Sequence, residues 1–308
     1  MSGTPPDRLP PVRPQVGGFN RTTWVLMFLA MVGVTAVYAW LEIPAEIGRW
    51  HTAAAMEHWL NAEQAQALGD TARWEAERDL AFAKLNKALN TITDDPRLYM
   101  QRATWLRQVG KYDEALADCN QAVELAGEQS AILSERATIY QLQRNHAAAV
   151  KDWETIYGLS KTQGEPPIPK ALNDLAYARS LGKIDLKDAF EEVTEALRSA
   201  PKSAAMLDTR AFIRYQMGDL KPALEDMNLA IPAVEAELEA ETRKIAESRK
   251  SVDERRLAAH LVRARKGVAV LYYHRSLIYE KLGNASAAAA DRKKAKELAG
   301  KEPDETLF

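Results

Sequence analysis

Four stretches of the chain, residues 99–125, 133–159, 207–231 and 272–298, carry the same order of hydrophobic, small and polar positions. In each, a small residue follows an arginine, a glycine or polar turn comes next, and an alanine opens a second apolar-periodic run. Arg102-Ala103-Thr104 returns as Arg136-Ala137-Thr138, 34 residues later, and Ala115 returns as Ala149 at the same interval. A repeating pattern of this kind predicts paired helices in which small side chains allow two backbones to approach closely. Composition agrees: alanine, leucine, glutamate, lysine and arginine dominate, and hairpin-turn dipeptides between alternating apolar runs are missing, so an all-α chain is expected.

The pattern resembles the tetratricopeptide repeat family, whose unit of about 34 residues is two antiparallel helices. The resemblance covers about residues 52–300 and implies an α-solenoid. It places Ala103, Ala137, Ala176, Ala211 and Ser276 at the close-packing site of the first helix, and Ala115, Ala149, Ala189, Ala223 and Ala288 at that of the second. Gly110, Gly182, Gly218 and Gly283 fall at or beside the turns. The unit around Ala176 departs from the pattern, with GEPPIP (residues 164–169) before it and one extra turn residue. The first unit, within residues 43–95, is degenerate: Ala81, Leu85 and Ala88 fit a second helix, whereas residues 51–68 match the first poorly, as expected of a capping repeat.

The resemblance also implies a concave groove lined by the first helices. Its inward positions are Arg97, Met100, Thr104, Arg107 and Gln108, then Ser134, Thr138 and Gln141, then Lys170, Asn173 and Tyr177, then Asp208, Phe212 and Tyr215, and finally Tyr273 and Leu277. Such a groove is polar and basic at one end and aromatic at the other, which suits a protein or peptide partner. Tyr177, Phe212 and Tyr215 could equally cover neighbouring helices. The family's lysine–asparagine clamp for a peptide carboxylate is not reproduced, since Met100 and Thr104 stand where it would be.

Two features lie outside the repeat. Arg102 and Asp118, Arg136 and Asp152, Arg210 and Asp226, Arg275 and Asp291 are each sixteen residues apart, first helix to second, so they are either recurring pairs or coincidentally spaced surface charges. Between Ala211 and Ser276 the spacing jumps to 65 residues without a new repeat. Leu257, Leu261, Ala264, Val268 and Leu271 form a coiled-coil seam, with Val234, Leu238, Ile245 and Val252 opposite, predicting one long antiparallel helical arm over about residues 232–268. Its turn lies near Arg249-Lys250 and Ser251 to Glu254 reads as a capping box. Glu235, Glu237, Glu239 and Glu241 on one limb face Arg255, Arg256, Arg263, Arg265 and Lys266 on the other, as mutual ion pairs or as a handle for docking or dimerisation.

Residues 24–41, WVLMFLAMVGVTAVYAWL, contain no charge. At about 1.5 Å per residue they approach the roughly 30 Å hydrocarbon layer, which predicts a single transmembrane helix over residues 24–42. Residues 1–23 precede it as a proline-rich disordered leader, and residues 301–308 end the chain as a tail after the solenoid, 96–300. Arg8, Arg13 and Arg21 lie before the span and Glu42 and Glu46 after it, which predicts a cytoplasmic N-terminus and an extracytoplasmic repeat domain. A cleaved signal peptide is the competing reading, given the small residues of Val37-Tyr38-Ala39.

Net charge of -2 gives no basic field for nucleic acid. The five histidines show no metal spacing, Cys119 stands alone on an apolar face, and no phosphate loop or nucleophile elbow is present. No catalytic residues, metal or cofactor are expected. The resulting expectation is a membrane-anchored scaffold or adaptor, with an accessory chaperone for secreted or membrane proteins as the alternative.

Overall fold

A computed structural model describes residues 21–163, 167–247 and 254–300, and every element among them is helical. The helices are α1 (Arg21–Ala67), α2 (Thr71–Leu89), α3 (Pro96–Gln108), α4 (Tyr112–Ala126), α5 (Ser130–Leu142), α6 (His146–Gln163), α7 (Ile168–Gly182), α8 (Leu186–Ser199), α9 (Ala204–Met217), α10 (Leu220–Glu247), α11 (Glu254–Lys281) and α12 (Ala285–Ala299). Each odd-numbered helix packs on the next even one, and neighbouring pairs stack into a solenoid. Local chemistry starts several of them: the Asp95 carboxylate accepts from the Arg97 N–H ahead of Pro96 at the first helical position, and Asn284 Oδ1 accepts from Ala287 N–H.

Small residues occupy the crossings. Ala103, Ala137, Ala176, Ala211 and Ser276 are completely buried on the first helices, as are Ala115, Ala149, Ala189 and Ala223 on the second. Two positions further on, Trp105, Ile139, Ala178, Ile213 and Ile278 fill the space behind them. The core is thus a row of small contacts backed by larger apolar side chains, close-packed as interiors generally are.

The recurring arginines and aspartates pair in four units, with the guanidinium gripping both carboxylate oxygens. Arg102 donates to Asp118 at 2.7 and 2.7 Å, Arg136 to Asp152 at 2.9 and 2.7 Å, Arg210 to Asp226 at 2.9 and 2.7 Å, and Arg275 to Asp291 at 2.7 and 2.9 Å. The aspartates are buried. Three of the arginines also reach back to the preceding unit: Arg102 to Asn86 Oδ1 at 2.8 Å, Arg136 to Asn120 Oδ1 at 2.9 Å and Arg275 to Asn228 Oδ1 at 3.3 Å. One side chain therefore clamps three helices. At Arg210 the equivalent preceding residue is Thr194, whose buried hydroxyl has no hydrogen-bond partner.

The unit of α7 and α8 builds this clamp differently. Leu175 stands where the arginine would be and Glu192 where the aspartate would be. Arg179, one turn later, serves both sides, 3.0 Å from Glu154 on α6 and 3.6 Å from Glu192 on α8, with Asp185 and Asp188 at 3.6 and 3.7 Å. Burial, opposed by Arg179 and reinforced by the neighbouring carboxylates, pushes the Glu192 carboxyl up to about 7.

Turns follow the same logic of equivalence. Gly110, Gly218 and Gly283 adopt left-handed backbone at φ 79°, 91° and 77°. In the two intervening units the corresponding left-handed residues are Arg144 (φ 60°) and Lys183 (φ 52°), and Asp185 (φ 45°) follows Lys183 in the same turn. Gly182 cannot surrender its place to a larger residue: a Cβ there would lie 2.6 Å from His146 Cβ and 2.9 Å from Ile184 Cδ1.

In the N-terminal region the expected span, residues 24–42, and the start of the expected connector belong to one helix, α1, which runs unbroken through Pro44 into the solenoid. It also begins at Arg21, inside the stretch expected to be a leader; residues 1–20 lie outside the described residues. Gly48 lets α1 abut the end of α2, since a Cβ there would sit 2.5 Å from Ile92 Cδ1. Further along, Trp59 stacks on Trp105 with centroids 4.5 Å apart, and Phe82 meets both edge-on at 5.9 and 6.0 Å. Aromatic packing thus adds to the small-residue contacts of Ala55, Ala62 and Ala65, which are buried on α1, and α1–α2 caps the array.

At the other end α10 continues past Pro232 to Glu247 and α11 starts at Glu254, so these two helices are the long ones after α1. Val234 and Leu238 pack against the solenoid core, and Tyr272 donates its hydroxyl proton to Glu235 at 2.7 Å. Burial and that carboxylate push the Tyr272 hydroxyl up to about 12. The expected turn and capping box, residues 249–253, lie outside the described residues, as do residues 164–166 of the proline-rich stretch and the tail 301–308; the side chains of Arg255, Arg256 and Arg263 are likewise not described.

Candidate functional site

A cavity of about 550 Å³ opens on the face formed by the first helices. Its walls come from four successive units: Thr138, Gln141 and Leu142 on α5, Leu181 at the end of α7, Phe212, Tyr215 and Gln216 on α9, and Tyr273, His274, Leu277 and Lys281 on α11. Arg144, His146 and Lys183 complete it from the turns. Thr138, Phe212 and Leu277 each follow the buried small residue by one, and Gln141 and Tyr215 follow it by four. Helical spacing of this kind keeps one side of each helix turned to the trough while the small residue meets its partner helix.

The aromatic wall is ordered by stacking. Phe212 lies 4.4 Å from the His274 ring at 20° and 6.0 Å from Tyr215 at 18°. Lys281 sits with its ammonium 4.0 Å from the Tyr215 ring and donates to the Tyr215 carbonyl at 3.3 Å, closing one edge. Behind the wall, Asp208 Oδ1 lies 2.8 Å from His274 Nδ1, with both side chains almost fully buried. That contact fixes the imidazole plane on which Phe212 stacks.

The inward-facing residues expected from the sequence divide into three groups. Thr138, Phe212, Tyr215 and Tyr273, with Gln141 and Leu277, line one cavity together. Asp208 was expected to face the groove, but it is buried beneath His274 because the imidazole draws its carboxylate inward. Tyr177 packs beside Phe212 at 6.4 Å and buries its hydroxyl, which burial and the Asp208 charge hold well above the usual phenol range. Asn173 is half-buried, with its side-chain carbonyl lacking a hydrogen-bond partner.

The residues of the first units form no common pocket with these. Arg97 turns back to Asp95 at the start of its own helix, at 2.9 and 2.8 Å. Met100 packs against the small apolar cluster around Ala103, and Thr104 is half-buried on α3. Arg107 bridges α3 to α5 through Glu135 at 2.6 Å, and Ser134 bonds within its helix to Ala131. Cys119 is completely buried and its thiol is pushed up to about 12, chiefly by desolvation.

Sequence reasoning missed His274 and the basic turn residues. Lys281 follows its small residue by five, as Leu142 does in its own unit. Arg144 stands 34 residues after Gly110, at the turn position where a positive residue projects instead of a glycine.

Residues 96–129 and 269–302, the pairs α3–α4 and α11–α12, match the family model of the tetratricopeptide repeat. Tetratricopeptide repeat protein 13 of Homo sapiens is 29% identical over 120 residues, which is 39% of this chain and 13% of that protein. DnaJ homolog subfamily C member 7 of Homo sapiens is 31% identical over 99 residues, 31% of this chain and 20% of that protein. The chain therefore spans a fifth or less of these curated relatives. The solved structure of PilW, described as a widely conserved type IV pilus biogenesis factor, covers 85% of this chain and 96% of its own at 15% identity and a TM-score of 0.50, a likeness of fold alone. On the matched segments and the shared architecture together, the family supported for these helix pairs is the tetratricopeptide repeat.

Proposed function

We propose that this protein is a membrane-anchored scaffold that holds a protein partner along the concave face of its repeats. The observation that carries the reading is the cavity shared by α5, α7, α9 and α11, whose aromatic and polar walls offer contact area to an extended segment or a helix. Membrane attachment is supported by α1, which holds an 18-residue window of mean hydropathy 1.9 with none of it buried against the protein. Val25, Leu26, Phe28, Leu29, Met31 and Val34 are all more than half exposed there, an arrangement suited to lipid. The charge difference across that window supports a reading with the N-terminus in the cytoplasm and the repeats on the far side.

A photo-crosslinking residue at Tyr273, with Lys221 on an exposed face as control, tests the groove in native membranes. One or two stoichiometric partners captured only from Tyr273 support the scaffold. A broad set of clients favours the accessory chaperone, and equal capture from Lys221 refutes the groove. Protease added to the extracytoplasmic side of sealed membranes should digest the repeats; protection would refute the orientation. N-terminal sequencing of the extracted protein separates a retained anchor from a cleaved leader.

A further inference from the structure

Beyond the apolar window of α1, residues 42–55 leave three large apolar side chains in the open. Ile43, Ile47 and Trp50 are 52%, 46% and 59% exposed, spaced four and three residues apart. At about 100° of turn per residue they share one side of the helix, and the rest of the segment divides into two others. Gly48, Ala55 and Trp59, which meet α2 and the Ile92 that follows it, lie roughly 120° away. Glu42, Glu46 and Arg49 lie about 100° away in the other direction. Arg49 is 3.9 and 3.4 Å from the two carboxylates. One side thus serves the solenoid, one carries paired charges in water, and the apolar third serves neither. Lys84 sets its ammonium 4.7 Å from the Trp50 ring centroid, yet the indole remains the most exposed of the three.

Lipid would cover Ile43 but not Trp50. With residue 42 at the hydrocarbon edge, Trp50 stands about 12 Å beyond it, past a headgroup layer of roughly 5–8 Å. Followed back at the same alternation of three and four, the apolar side passes position 40 and then Ala36, Gly33, Leu29 and Leu26, all within the uncharged residues 24–41. This is the seam of a two-stranded coiled coil, continuous from span to water over about 36 Å. Ala36 and Gly33 fall inside the span, where small residues let helix backbones approach, and a Cβ at Gly33 would meet nothing within 4 Å. Ala54 and the exposed Glu57 take the next two positions, and the charge ends the seam.

We infer that this side of α1 pairs in parallel with α1 of a second copy of the chain. The inference rests on the membrane-anchor reading above and gives the anchor a second task. Copies inserted in one membrane all point the same way, so every seam position meets its own counterpart. Position 46, a glutamate, then flanks position 51 of the other copy, a histidine, so these flanking positions bring no like charges together. A pair carries two grooves on one stalk, and a partner with two binding segments gains from both.

The test places single cysteines in the full chain, in native membranes, under a mild oxidant; Cys119 is completely buried and stays as it is. Ile43→Cys, Ile47→Cys and Trp50→Cys should form disulfide-linked dimers about tenfold or more faster than Ala45→Cys or Arg49→Cys, whose positions face away from the seam and cannot bring two Cα atoms within bridging distance. Mass spectrometry of the linked species identifies what is joined. Linkage indifferent to position, or absent at all three seam positions, would overturn the pairing. So would linkage to a different polypeptide, which would make α1 a docking helix for another membrane protein. A second measurement uses the full chain in mild detergent. Ile43→Ser, Ile47→Ser and Trp50→Ser together should weaken self-association in the analytical ultracentrifuge by about tenfold or more, while Arg49→Ser leaves it unchanged. An association constant untouched by the triple substitution would equally refute the seam. Alkaline carbonate extraction separates this inference from the reading beneath it. A chain that stays with the membrane without cross-linking fails the pairing alone, whereas a chain that washes out fails the anchor and the pairing with it.

Discussion

Replacing Asp152 by alanine removes the carboxylate that Arg136 grips at 2.9 and 2.7 Å while leaving the guanidinium in place. The Asp152 side chain is 7% exposed and that of Arg136 17%, so neither charge is well solvated. With charge centres about 4 Å apart and an effective dielectric near 20, the gross attraction is about 4 kcal/mol. Desolvation of both groups offsets part of it in the intact protein, but a lone guanidinium keeps its own share after the carboxylate has gone. Arg136 retains Asn120 at 2.9 Å, which softens the loss. We therefore expect Asp152→Ala to destabilise the fold by about 2–3 kcal/mol, below the 3–5 kcal/mol of fully buried pairs. Arg136→Met combined with Asp152→Leu removes both charges and their desolvation together, and should return to within about 1 kcal/mol of the parent. The assay is urea unfolding followed by helical circular dichroism in non-ionic detergent, with exposed Glu124→Ala as control. A loss under about 0.5 kcal/mol for Asp152→Ala, or a double variant as unstable as the sum of the singles, would refute the clamp as a structural device.

Three further outcomes follow from the same geometry. The Glu192 carboxyl, near 7 when folded against 4.5 as an ordinary glutamate, contributes stability that is complete below about pH 4.5 and lost as pH rises through 7. Raising the pH from 5.5 to 8 should therefore remove about 2 kcal/mol, and Glu192→Gln should flatten that slope in melts taken across the range; an unchanged slope would clear Glu192 of the effect. Gly182→Ala forces a methyl against His146 and Ile184 and should destabilise by about 1–3 kcal/mol, whereas exposed Gly158, with open space around it, should tolerate alanine. Trp59→Ala removes the ring stacked on Trp105 and should destabilise the cap by about 3 kcal/mol or more, read as faster amide exchange in α1 and α2 than in α9 and α10.

The architecture was legible because its signals are local and repeated: one small residue per helix, one alanine per partner, one arginine–aspartate pair at constant spacing. The cap was not, since Trp59, Phe82 and Trp105 come from three helices and no spacing links them. Within the groove, phase along the helix placed Thr138, Phe212 and Tyr273 together, but it could not show that Asp208 would be drawn under His274, 66 residues away. Arg144 and Lys183 look like ordinary surface charges until their backbone conformation sets them beside three glycines. The departures at Leu175 and Glu192 were visible as letters, yet their meaning needed Arg179 to be seen facing both neighbouring helices.

Of the four arginines that grip an aspartate sixteen residues on, Arg210 alone does not hold an asparagine amide of the unit before it, because Thr194 occupies that place. The boundary between α8 and α9 therefore lacks the polar cross-tie found at α2–α3, α4–α5 and α10–α11. In mechanical terms this joint, which separates the α5 and α7 wall of the cavity from the α9 and α11 wall, is held by ring contacts and apolar packing instead. The Arg214 guanidinium lies 5.5 Å from the Phe190 ring, and Tyr177 lies 6.4 Å from Phe212. Such contacts slide more readily than a directional hydrogen bond, so a bulky guest wedged inside would meet less orientational resistance here than at a joint tied by arginine and asparagine.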